Sequence, residues 1–288
     1  MRLAINEGHF RKIYGSNERR SYEEAALICK NGGIDCLDVG LTSSVPEQNL
    51  ILRKNYLDDA KKYKNYCDKL GISVTQTHAR YDFYNIGKEQ YISDMIKTVE
   101  VSKALGANCV VVHADTYYDE EYRFDYDNVL NIIYDIHKPM VEAAKKHGIK
   151  IAMETLFEDR APEGKRARFT SYVDELDDIV SKYNDDIVGI CWDFGHARVA
   201  YGDKQFEEMK KVGEKIIATH VHDNFAGKDM HLLPFEGMTD WKEGMKTLNE
   251  IGYDGDLTFE IVYGCIPDAL LNNYICLYKK VGEYLINA

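Results

Sequence analysis

The stretch AAKKHGIKIAMET (residues 143–155) contains the unit that decides the fold of this 288-residue chain. It begins with the end of an amphipathic helical pattern, passes through Gly148 and ends in a short apolar strand pattern that carries Glu154. Glycine suits the positive φ that a helix C-terminus often requires. The order of helix, glycine and strand is typical of the repeat that builds a parallel sheet.

The same unit recurs along the whole sequence. Helical patterns end in glycine, where we expect positive φ, at Gly32-Gly33, Gly71, Gly106, Gly148, Gly213 and Gly252. Strand patterns cover residues 2–6, 34–40, 72–79, 108–115, 150–155, 188–196, 216–224 and 256–263. Helical patterns cover residues 21–31, 48–70, 88–105, 125–147, 171–183, 203–212, 241–251 and 267–286. Pro139 lies inside the fourth helical pattern and predicts a kink or a break near Lys138.

This alternation of strand and helix favours one architecture. Eight such units fit in 288 residues, which predicts a closed parallel (β/α)8 TIM barrel forming a single domain over residues 1–288. An open doubly wound sheet would be expected to carry a GxGxxG turn after its first strand, and the sequence has none. We therefore predict a barrel with no nucleotide cofactor.

The composition excludes several classes of protein. With 36 Lys and Arg against 48 Asp and Glu the net charge is −12, and 45% of the residues are hydrophobic, which is typical of a globular domain. The N-terminal residues lack the apolar segment of a signal peptide, and no apolar run approaches the ~20 residues that cross a bilayer. The seven cysteines form no CxxC pair, which indicates free thiols and excludes a disulfide scaffold. We predict a cytoplasmic protein with no membrane partner.

Polar residues stand at the ends of six predicted strands, where the catalytic groups of a TIM barrel lie. They are His78, His113, Glu154, Asp193 with His196, His220 with His222, and Glu260, and the loop after the seventh strand adds Asp229 and His231. Glu154, Asp193 and Glu260 are acids in otherwise apolar strands, and a buried unpaired carboxylate is costly. Three carboxylates at one barrel mouth would repel one another unless a divalent metal ion lies between them. The sequence therefore predicts a metal site.

Strand alternation indicates which other residues surround this site. The interior positions one layer below the predicted ligands hold small residues, namely Ala152, Cys191, Ala218 and Thr258. We expect three histidines outside the site, because His137 and His147 lie in a helical pattern and His9 lies in a loop. Aromatic residues that either shape a substrate pocket or simply pack are Tyr117, Phe157, Trp192, Phe194 and Phe235.

Basic residues gather in the loops on the predicted catalytic face. They are Arg11, Lys12, Arg19 and Arg20 after the first strand, Arg80 after the third, and Arg160, Lys165, Arg166 and Arg168 after the fifth. Such side chains could bind a phosphorylated or carboxylated substrate or a DNA backbone, and we take Arg80 and Arg160 as candidate anion-binding residues. The alternative is ordinary surface pairing with Asp and Glu. The net charge of −12 disfavours nucleic acid as a partner without excluding it.

The motifs on these strands resemble those of the xylose isomerase-like TIM-barrel superfamily. They are THAR (77–80), VVHAD (111–115), MET (153–155), CWDFGH (191–196), HVHD (220–223), DMHLLPFEG (229–237) and FE (259–260). This superfamily includes sugar and sugar-phosphate isomerases and epimerases, inosose dehydratases and the endonuclease IV type of DNA repair enzyme. Each motif is weak alone, and the resemblance rests on their order and their placement on the third to eighth strands.

The resemblance to ketose 3-epimerases implies a divalent metal ion held by Glu154, Asp193, His220 and Glu260. His220 is preferred to His222 because the family pattern has a histidine three residues before an Asp, which is Asp223 here. His196 matches a position that contacts substrate in those epimerases. Two of their substrate contacts are not matched, since Arg160 and Ala226 stand where the epimerases have Glu and Arg.

The resemblance to endonuclease IV covers all nine metal positions of that family. It implies one zinc ion on His78, His113 and Glu154, a second on the four residues shared with the epimerases, and a third on His196, Asp229 and His231. Many sugar-acting relatives carry the same residues, so this match does not by itself imply DNA repair. A site of carboxylates and one imidazole suits Mn²⁺ or Mg²⁺, whereas use of the histidine-rich positions favours Zn²⁺.

Together these features predict a metal-dependent sugar or sugar-phosphate isomerase or epimerase. Glu154 and Glu260 would serve as base and acid on opposite sides of the reacting carbon, while the metal ion stabilises the negative charge that develops next to it. The alternatives are a zinc-dependent abasic-site phosphodiesterase of the endonuclease IV type, an inosose dehydratase-type lyase, and a barrel that binds sugar or metal without turnover. A homo-oligomer is possible by analogy, but the sequence identifies no interface.

Overall fold

A computed structural model of the chain describes residues 1–10, 18–114, 124–159, 161–163, 165–225, 227–262 and 266–288. In these residues eight parallel strands form one sheet in the order β7-β6-β5-β4-β3-β2-β1-β8. The strands are β1 (Leu3–Asn6), β2 (Cys36–Gly40), β3 (Ser73–His78), β4 (Cys109–Val112), β5 (Lys150–Glu154), β6 (Val188–Asp193), β7 (Ile216–His220) and β8 (Leu257–Phe259). The helices are α1 (Tyr22–Asn31), α2 (Tyr56–Leu70), α3 (Phe83–Ile86), α4 (Lys88–Leu105), α5 (Tyr126–His147), α6 (Val173–Tyr183), α7 (Phe194–Tyr201), α8 (Gln205–Lys211), α9 (Trp241–Glu250) and α10 (Asp268–Ile286).

The sheet closes into a barrel where β7 meets β8. Val221, the residue after β7, forms a parallel bridge with Phe259. Its N–H donates to the carbonyl of Thr258 at 2.8 Å, and its carbonyl accepts from the N–H of Glu260 at 3.1 Å. The predicted (β/α)8 TIM barrel is therefore confirmed. None of the described helices is long and apolar enough to cross a membrane.

The alternation of side chains along the strands separates an outer core from an inner one. Outward-facing residues such as Ile151 and Met153 pack in the large core between the strands and the helices. Inward-facing residues form a smaller cluster inside the barrel, composed of Cys109, Val111, Ala152, Cys191 and Ala218. The predicted layer of small residues is present, and it leaves the space above it to longer polar side chains. The six described cysteines are free thiols, as predicted.

The second helix is shorter than its sequence pattern. α2 begins at Tyr56 rather than near residue 48, because the 3₁₀ turns Pro46–Gln48 and Leu50–Leu52 precede it. Asn49 stabilises these turns, since its side-chain amide donates to two backbone carbonyls of the preceding loop at 2.8 and 2.7 Å. A local side-chain hydrogen bond thus competes with the helix that the apolar spacing indicates.

The long helix α5 continues through Pro139, so of the two predicted outcomes, a kink or a break near Lys138, the break is wrong and the kink stays a prediction. Ile133 and Ile136 before the proline and Met140 after it are buried on one face of the helix. Apolar burial on both sides of Pro139 compensates for the hydrogen bond that a proline cannot donate.

Most of the helix-ending glycines have the expected backbone conformation, but Gly32 and Gly213 do not. Positive φ occurs at Gly33, Gly71, Gly106, Gly148 and Gly252. Gly213 is not among the residues with positive φ, and a Cβ built on it would lie 2.6 Å from Cγ2 of Ile251. Close packing, rather than backbone conformation, therefore requires glycine at this position.

The sixth strand passes directly into a helix that the sequence pattern missed. β6 ends at Asp193 rather than continuing to residue 196, and α7 begins at the next residue. The carboxylate of Asp193 caps α7 by accepting a hydrogen bond from the N–H of His196 at 2.6 Å. An N-cap of this kind stabilises a helix start. The same contact holds His196 beside the barrel mouth.

Candidate metal centre

Four of the predicted site residues meet at the carboxyl-terminal end of the barrel. Glu154 ends β5, Asp193 ends β6, His220 ends β7 and Glu260 follows β8. Each offers one ligand atom, and these atoms all lie within 4.8 Å of one another. All four side chains are buried. Closure of the barrel therefore brings together residues that are far apart in the sequence.

Glu154 also contacts two histidines from the neighbouring strands β3 and β4. Its Oε2 lies 3.1 Å from Nε2 of His78 and 3.2 Å from Nε2 of His113. The Nδ1–H of His78 donates to the carbonyl of Ala79 at 2.9 Å, so Nε2 is the nitrogen that faces the carboxylate. Either a proton or a cation must lie between that nitrogen and the carboxylate. Glu154, His78 and His113 form a second group that could hold a metal ion.

A third group lies above β7 and the loop that follows it. His196, His222, Asp229 and His231 each offer a ligand atom within 4.8 Å of the others. Asp229 Oδ2 lies 3.6 Å from His196 Nε2 and 3.2 Å from His231 Nε2. The Nδ1–H groups of these two histidines donate to backbone carbonyls at 2.9 and 2.8 Å. Both imidazoles are thereby held with Nε2 toward Asp229.

His222 belongs to this third group, although the sequence analysis set it aside in favour of His220. Its Nε2 lies 3.1 Å from Asp193 Oδ1, and its Nδ1 lies 3.8 Å from Asp229 Oδ1. Gly195 makes room for the ring, because a Cβ there would lie 1.8 Å from Cε1 of His222. The sequence could have indicated this position, because side chains alternate along a strand and a residue two positions beyond His220 faces the same interior.

The placement of His9 outside the site is wrong. Its Nε2 lies 3.1 Å from Glu260 Oε1, and its ring centroid is 5.2 Å from that of His231. A 3₁₀ turn, Glu7–His9, follows β1 directly and carries His9 to the barrel mouth. The sequence could have indicated this placement, because His9 comes only three residues after the end of a predicted strand. His137, by contrast, is buried in α5, where its Nδ1–H donates to a backbone carbonyl at 2.9 Å, as a residue outside the site would.

Several buried polar atoms of these groups have no hydrogen-bond partner. Among the described residues they include Glu154 Oε1, His220 Nδ1, His222 Nδ1 and Asp229 Oδ1. His220 Nδ1 lies 3.3 Å from Glu154 Oε1 and 3.2 Å from Glu260 Oε2. Acceptor atoms that face one another in a buried site are stabilised by a cation between them. A donor set of carboxylate oxygens and imidazole nitrogens fits a divalent metal ion.

The charges of the site shift the pKa values of its members in opposite directions. Burial raises the pKa of Glu154, but the imidazoles of His113 and His220 lower it more, to well below its usual range. Burial lowers the pKa of His220, but Cys191 and the carboxylates of Glu260, Glu154 and Asp38 raise the pKa to well above its usual range. A metal ion competes with these protons for the same atoms, so metal binding weakens as the pH falls.

Below His220 a second set of buried polar residues supports its imidazole. Its Nε2 lies 3.4 Å from Oδ2 of Asp38 in β2 and 3.0 Å from the amide nitrogen of Gln76 in β3. The same Asp38 oxygen accepts hydrogen bonds from Asn6 at 2.8 Å and from Gln76 at 3.2 Å. These contacts to Nε2 fix the orientation of the imidazole ring, with Nδ1 toward Glu154. Neither Asp38 nor Gln76 was identified from the sequence.

A cavity of about 240 Å³ opens above these groups. Besides site residues its walls contain Asn6, Arg19, Thr42, Tyr81, Phe157 and Arg168. Its small volume and mostly polar walls suit a small polar ligand.

The structure does not support Arg80 as an anion-binding residue. Arg80 is buried, and its guanidinium pairs with Asp82 and, at 3.0 Å, with Asp94. Two carboxylates already neutralise its charge, and it does not line the cavity. Other residues that the sequence analysis named lie outside the described residues, namely Arg11, Lys12, Tyr117, Arg160 and Ala226.

Some of the aromatic residues near the barrel mouth line the cavity, and the others pack in the core or lie at the surface. Phe157 lines the cavity. Trp192 and Phe194 are fully buried in the outer core, and Phe235 is exposed at the surface. Tyr81, which the sequence analysis did not name, lines the cavity and stacks on a histidine of the second group with ring centroids 4.8 Å apart.

Known proteins share this sequence pattern and fold. A family model described as xylose isomerase-like TIM barrel matches residues 28–273. The uncharacterized protein y4fM of Sinorhizobium fredii is 32% identical over 167 residues, which are 56% of this chain and 50% of that protein. The chain spans about half the length of the curated relatives that it matches.

Solved structures match the fold over nearly the whole chain. A D-tagatose 3-epimerase-like protein is 22% identical, with 100% of this chain and 98% of that chain covered and a TM-score of 0.73. The IOLI protein, whose structure has a bound zinc atom, is 20% identical, with the same coverage and a TM-score of 0.74. At these identities the likeness concerns the fold alone. The family match over most of the sequence shows that this chain belongs to the xylose isomerase-like TIM barrel family.

Proposed function

We propose that the protein is a sugar or sugar-phosphate isomerase or epimerase that depends on a divalent metal ion. The observation that carries this proposal is the buried group of Glu154, Asp193, His220 and Glu260, whose ligand atoms lie within 4.8 Å of one another at the top of the barrel. The epimerase-like neighbour supports sugar chemistry, and the zinc-bound neighbour supports a metal ion. Oligomeric state and compartment stay predictions from the sequence.

The two glutamates of the group are suited to proton transfer. A divalent cation in the site would polarise a substrate carbonyl and stabilise the negative charge that develops on its oxygen. Glu154 and Glu260 both line the cavity, so one can remove a proton from the carbon next to the carbonyl and the other can return one. His9, 3.1 Å from Glu260 Oε1, holds that carboxylate in place. His196 and Phe157 line the cavity wall and would contact the substrate.

Exchange of carbon-bound protons with solvent deuterium tests the proposal. The metal-loaded protein is incubated in D₂O with a panel of ketoses and ketose phosphates, and exchange next to the carbonyl is followed by proton NMR. Glu154→Gln and Glu260→Gln are each expected to slow exchange by about 10²–10⁴-fold. The control is Glu142→Gln, because Glu142 is a surface residue of α5 that pairs with Lys145. If no sugar exchanges a proton, or if both glutamine variants exchange at the wild-type rate, the proposal is wrong.

The third group of ligands supports a second candidate, a zinc-dependent phosphodiesterase of the endonuclease IV type. All nine residues of that resemblance lie in adjoining groups that could hold metal ions. His222 argues for the sugar reaction, because it gives the third group four protein ligands. Zinc sites with four protein ligands are usually structural, whereas catalytic sites keep an open position.

Elemental analysis and a cleavage assay separate the two candidates. One metal ion per chain together with proton exchange supports the isomerase. Three zinc ions per chain, with cleavage of abasic duplex DNA that survives excess sugar and is lost on chelation, would support the phosphodiesterase instead.

A further inference from the structure

Arg19 differs from the other described arginines near the barrel mouth. Each of those arginines forms an ion pair with a carboxylate. The pairs are Arg20 with Asp268, Arg80 with Asp82 and Asp94, Arg166 with Glu175, and Arg168 with Asp159. Arg19 comes within ion-pair distance of no carboxylate in the described part of the chain, and its hydrogen bond goes to a hydroxyl group instead. Its charge is therefore not neutralised by direct pairing.

The guanidinium of Arg19 lies in the wall of the cavity that contains the candidate metal ligands. Its Nη2 donates to Thr42 Oγ1 at 2.7 Å, and Thr42 lines the same cavity. Its Nη1 lies against the backbone of Gly8 and Gly40, where a Cβ would be 3.2 and 3.4 Å away. Nη1 is buried and has no hydrogen-bond partner among the described residues. A buried donor without an acceptor is costly, so a ligand that supplies acceptor oxygens and draws the guanidinium toward the cavity would relieve this cost.

Glu7 lies near Arg19 without neutralising it. Its carboxyl oxygen accepts a hydrogen bond from the N–H of Gly40 at 3.0 Å. Burial raises the pKa of Glu7 to about 8, although Arg19 lowers it in part. Glu7 is therefore mostly protonated at neutral pH, which leaves the positive charge of Arg19 available to a ligand.

We propose that Arg19 and Thr42 form a subsite for an anionic group of the substrate, either a phosphate or a carboxylate. This inference rests on the proposed function and deepens it, because it makes the substrate an anionic sugar rather than a neutral one. A guanidinium fork matches two oxygens of either group. The Thr42 hydroxyl accepts from Arg19 and can donate its own proton to a further oxygen. An anion held here and a carbonyl held at the metal-binding end would together orient the reacting carbon.

Binding of matched ligands to the metal-loaded protein tests the subsite. D-fructose, D-fructose 6-phosphate and D-fructuronate differ in the charged group at one end, and calorimetric titration compares their affinities. We expect one anionic ligand to bind about 10–100-fold more tightly than D-fructose, and the phosphate and carboxylate arms show which group is preferred. Arg19→Gln should abolish this preference without changing D-fructose affinity or metal content. Arg19→Lys, which keeps the charge and loses the fork, should retain part of it.

Arg20→Gln is the matched control, because Arg20 is adjacent in sequence, pairs with Asp268 and does not line this cavity. It should bind every ligand as the wild type does. A preference for anions that survives Arg19→Gln would assign the anion to the metal ion or to Arg168, which also lines the cavity, and would overturn the subsite. Equal losses of neutral and anionic ligands in Arg19→Gln, or no anion binding by the wild type, would also overturn it.

Inorganic phosphate is a second probe that separates the subsite from the proposed reaction. If phosphate binds in an Arg19-dependent manner while no sugar exchanges a proton, the subsite is correct and the isomerase proposal is wrong. If D-fructose is bound and exchanged as well as its phosphate and its acid, the isomerase proposal is correct and the subsite is wrong.

Discussion

Glu154 and Asp223 are both fully buried carboxylates near the top of the barrel, but their surroundings differ. Asp223 accepts four hydrogen bonds at 2.9–3.0 Å, from the backbone N–H groups of Asn224, Phe235 and Thr239 and from the indole of Trp241. Glu154 faces imidazoles and other carboxylates, and its Oε1 has no hydrogen-bond partner among the described residues. A buried acid is therefore a candidate metal ligand when its lone pairs are not used by N–H donors.

The Asp223 region is a scaffold for the third group of ligands. Asp223 forms an antiparallel bridge with Leu232, with backbone hydrogen bonds of 2.8 and 2.9 Å. A Cβ at Gly237 would lie 2.4 Å from the Asp223 carboxylate, so glycine lets the loop close around it. The loop held in this way carries Asp229 and His231. One carboxylate thus organises the backbone, while the other remains available to a cation.

Glu154→Gln tests the comparison with the largest expected effect, which is on metal affinity. Glu154 belongs to two groups that could hold a metal ion. Metal affinity should fall by roughly 10²–10³-fold, since ~10–16 kcal/mol of binding free energy is shared among about four ligands. Unfolding in urea with a chelator present should show a smaller loss of stability than in Asp223→Ala, because the lost charge pairs with imidazoles but the glutamine oxygen can still accept a hydrogen bond from them. Competition with a chelating dye measures the affinity, and a wild-type value would show that Glu154 is not a ligand.

Asp223→Ala should show the opposite pattern. Four N–H donors lose their acceptor, so the free energy of unfolding should fall by about 3–4 kcal/mol in urea titrations. Metal affinity at the group that contains Glu154 should change less than in Glu154→Gln, because Asp223 supplies no ligand atom to it. Asp223→Asn keeps one acceptor oxygen and serves as the milder variant if the alanine variant does not fold. Wild-type stability in both variants would contradict the scaffold role.

Glu7 is a third buried carboxyl, and its surroundings make the stability of the protein depend on pH. Burial raises its pKa from 4.5 to about 8. The folded protein therefore holds this proton more tightly than the unfolded chain does, and its contribution to stability is full below pH 4.5 and is lost as the pH rises to about 8. Glu7→Gln keeps an acceptor for the N–H of Gly40 and removes this loss. We expect the variant to gain on the order of 3 kcal/mol relative to wild type between pH 5 and 8, at about 1.36 kcal/mol per pKa unit.

Urea unfolding of both proteins across that pH range, with a chelator present, measures the difference between them. Contributions from the other titrating groups cancel in this difference. A pH-independent difference would show that the pKa of Glu7 is not raised by burial.

Asp38→Asn is expected to have the smallest effect, and it tests whether the buried polar residues below the site orient His220 for metal binding. Asp38 supports His220 through Nε2 and lies outside every group of candidate ligand atoms. Loss of its charge should lower metal affinity by about 10–100-fold, because residues that orient a ligand typically contribute this much. In cobalt-loaded protein the visible spectrum should also change, which a purely structural role would not cause. An unchanged spectrum and affinity would show that His220 is oriented without Asp38.

Much of the candidate site could be read from the sequence because strand ends in a barrel converge on one face. The residues taken from motifs at those ends lie in groups of candidate ligand atoms in the structure. His9 was missed because a short turn after β1, rather than a strand, places it near Glu260. Arg80 was misjudged because its pairing with Asp82 and Asp94 depends on side-chain directions that spacing does not reveal.

By itself the sequence determined the (β/α)8 architecture, because the alternation of apolar strand patterns and amphipathic helices depends only on local spacing and on which side chains are apolar. It also determined which acids and imidazoles stand at strand ends. Only the tertiary structure decided which of them are left without partners. The hydrogen bonds to Asp223, the orientation of the His220 imidazole and the unpaired charge of Arg19 all depend on contacts between segments that are distant in sequence.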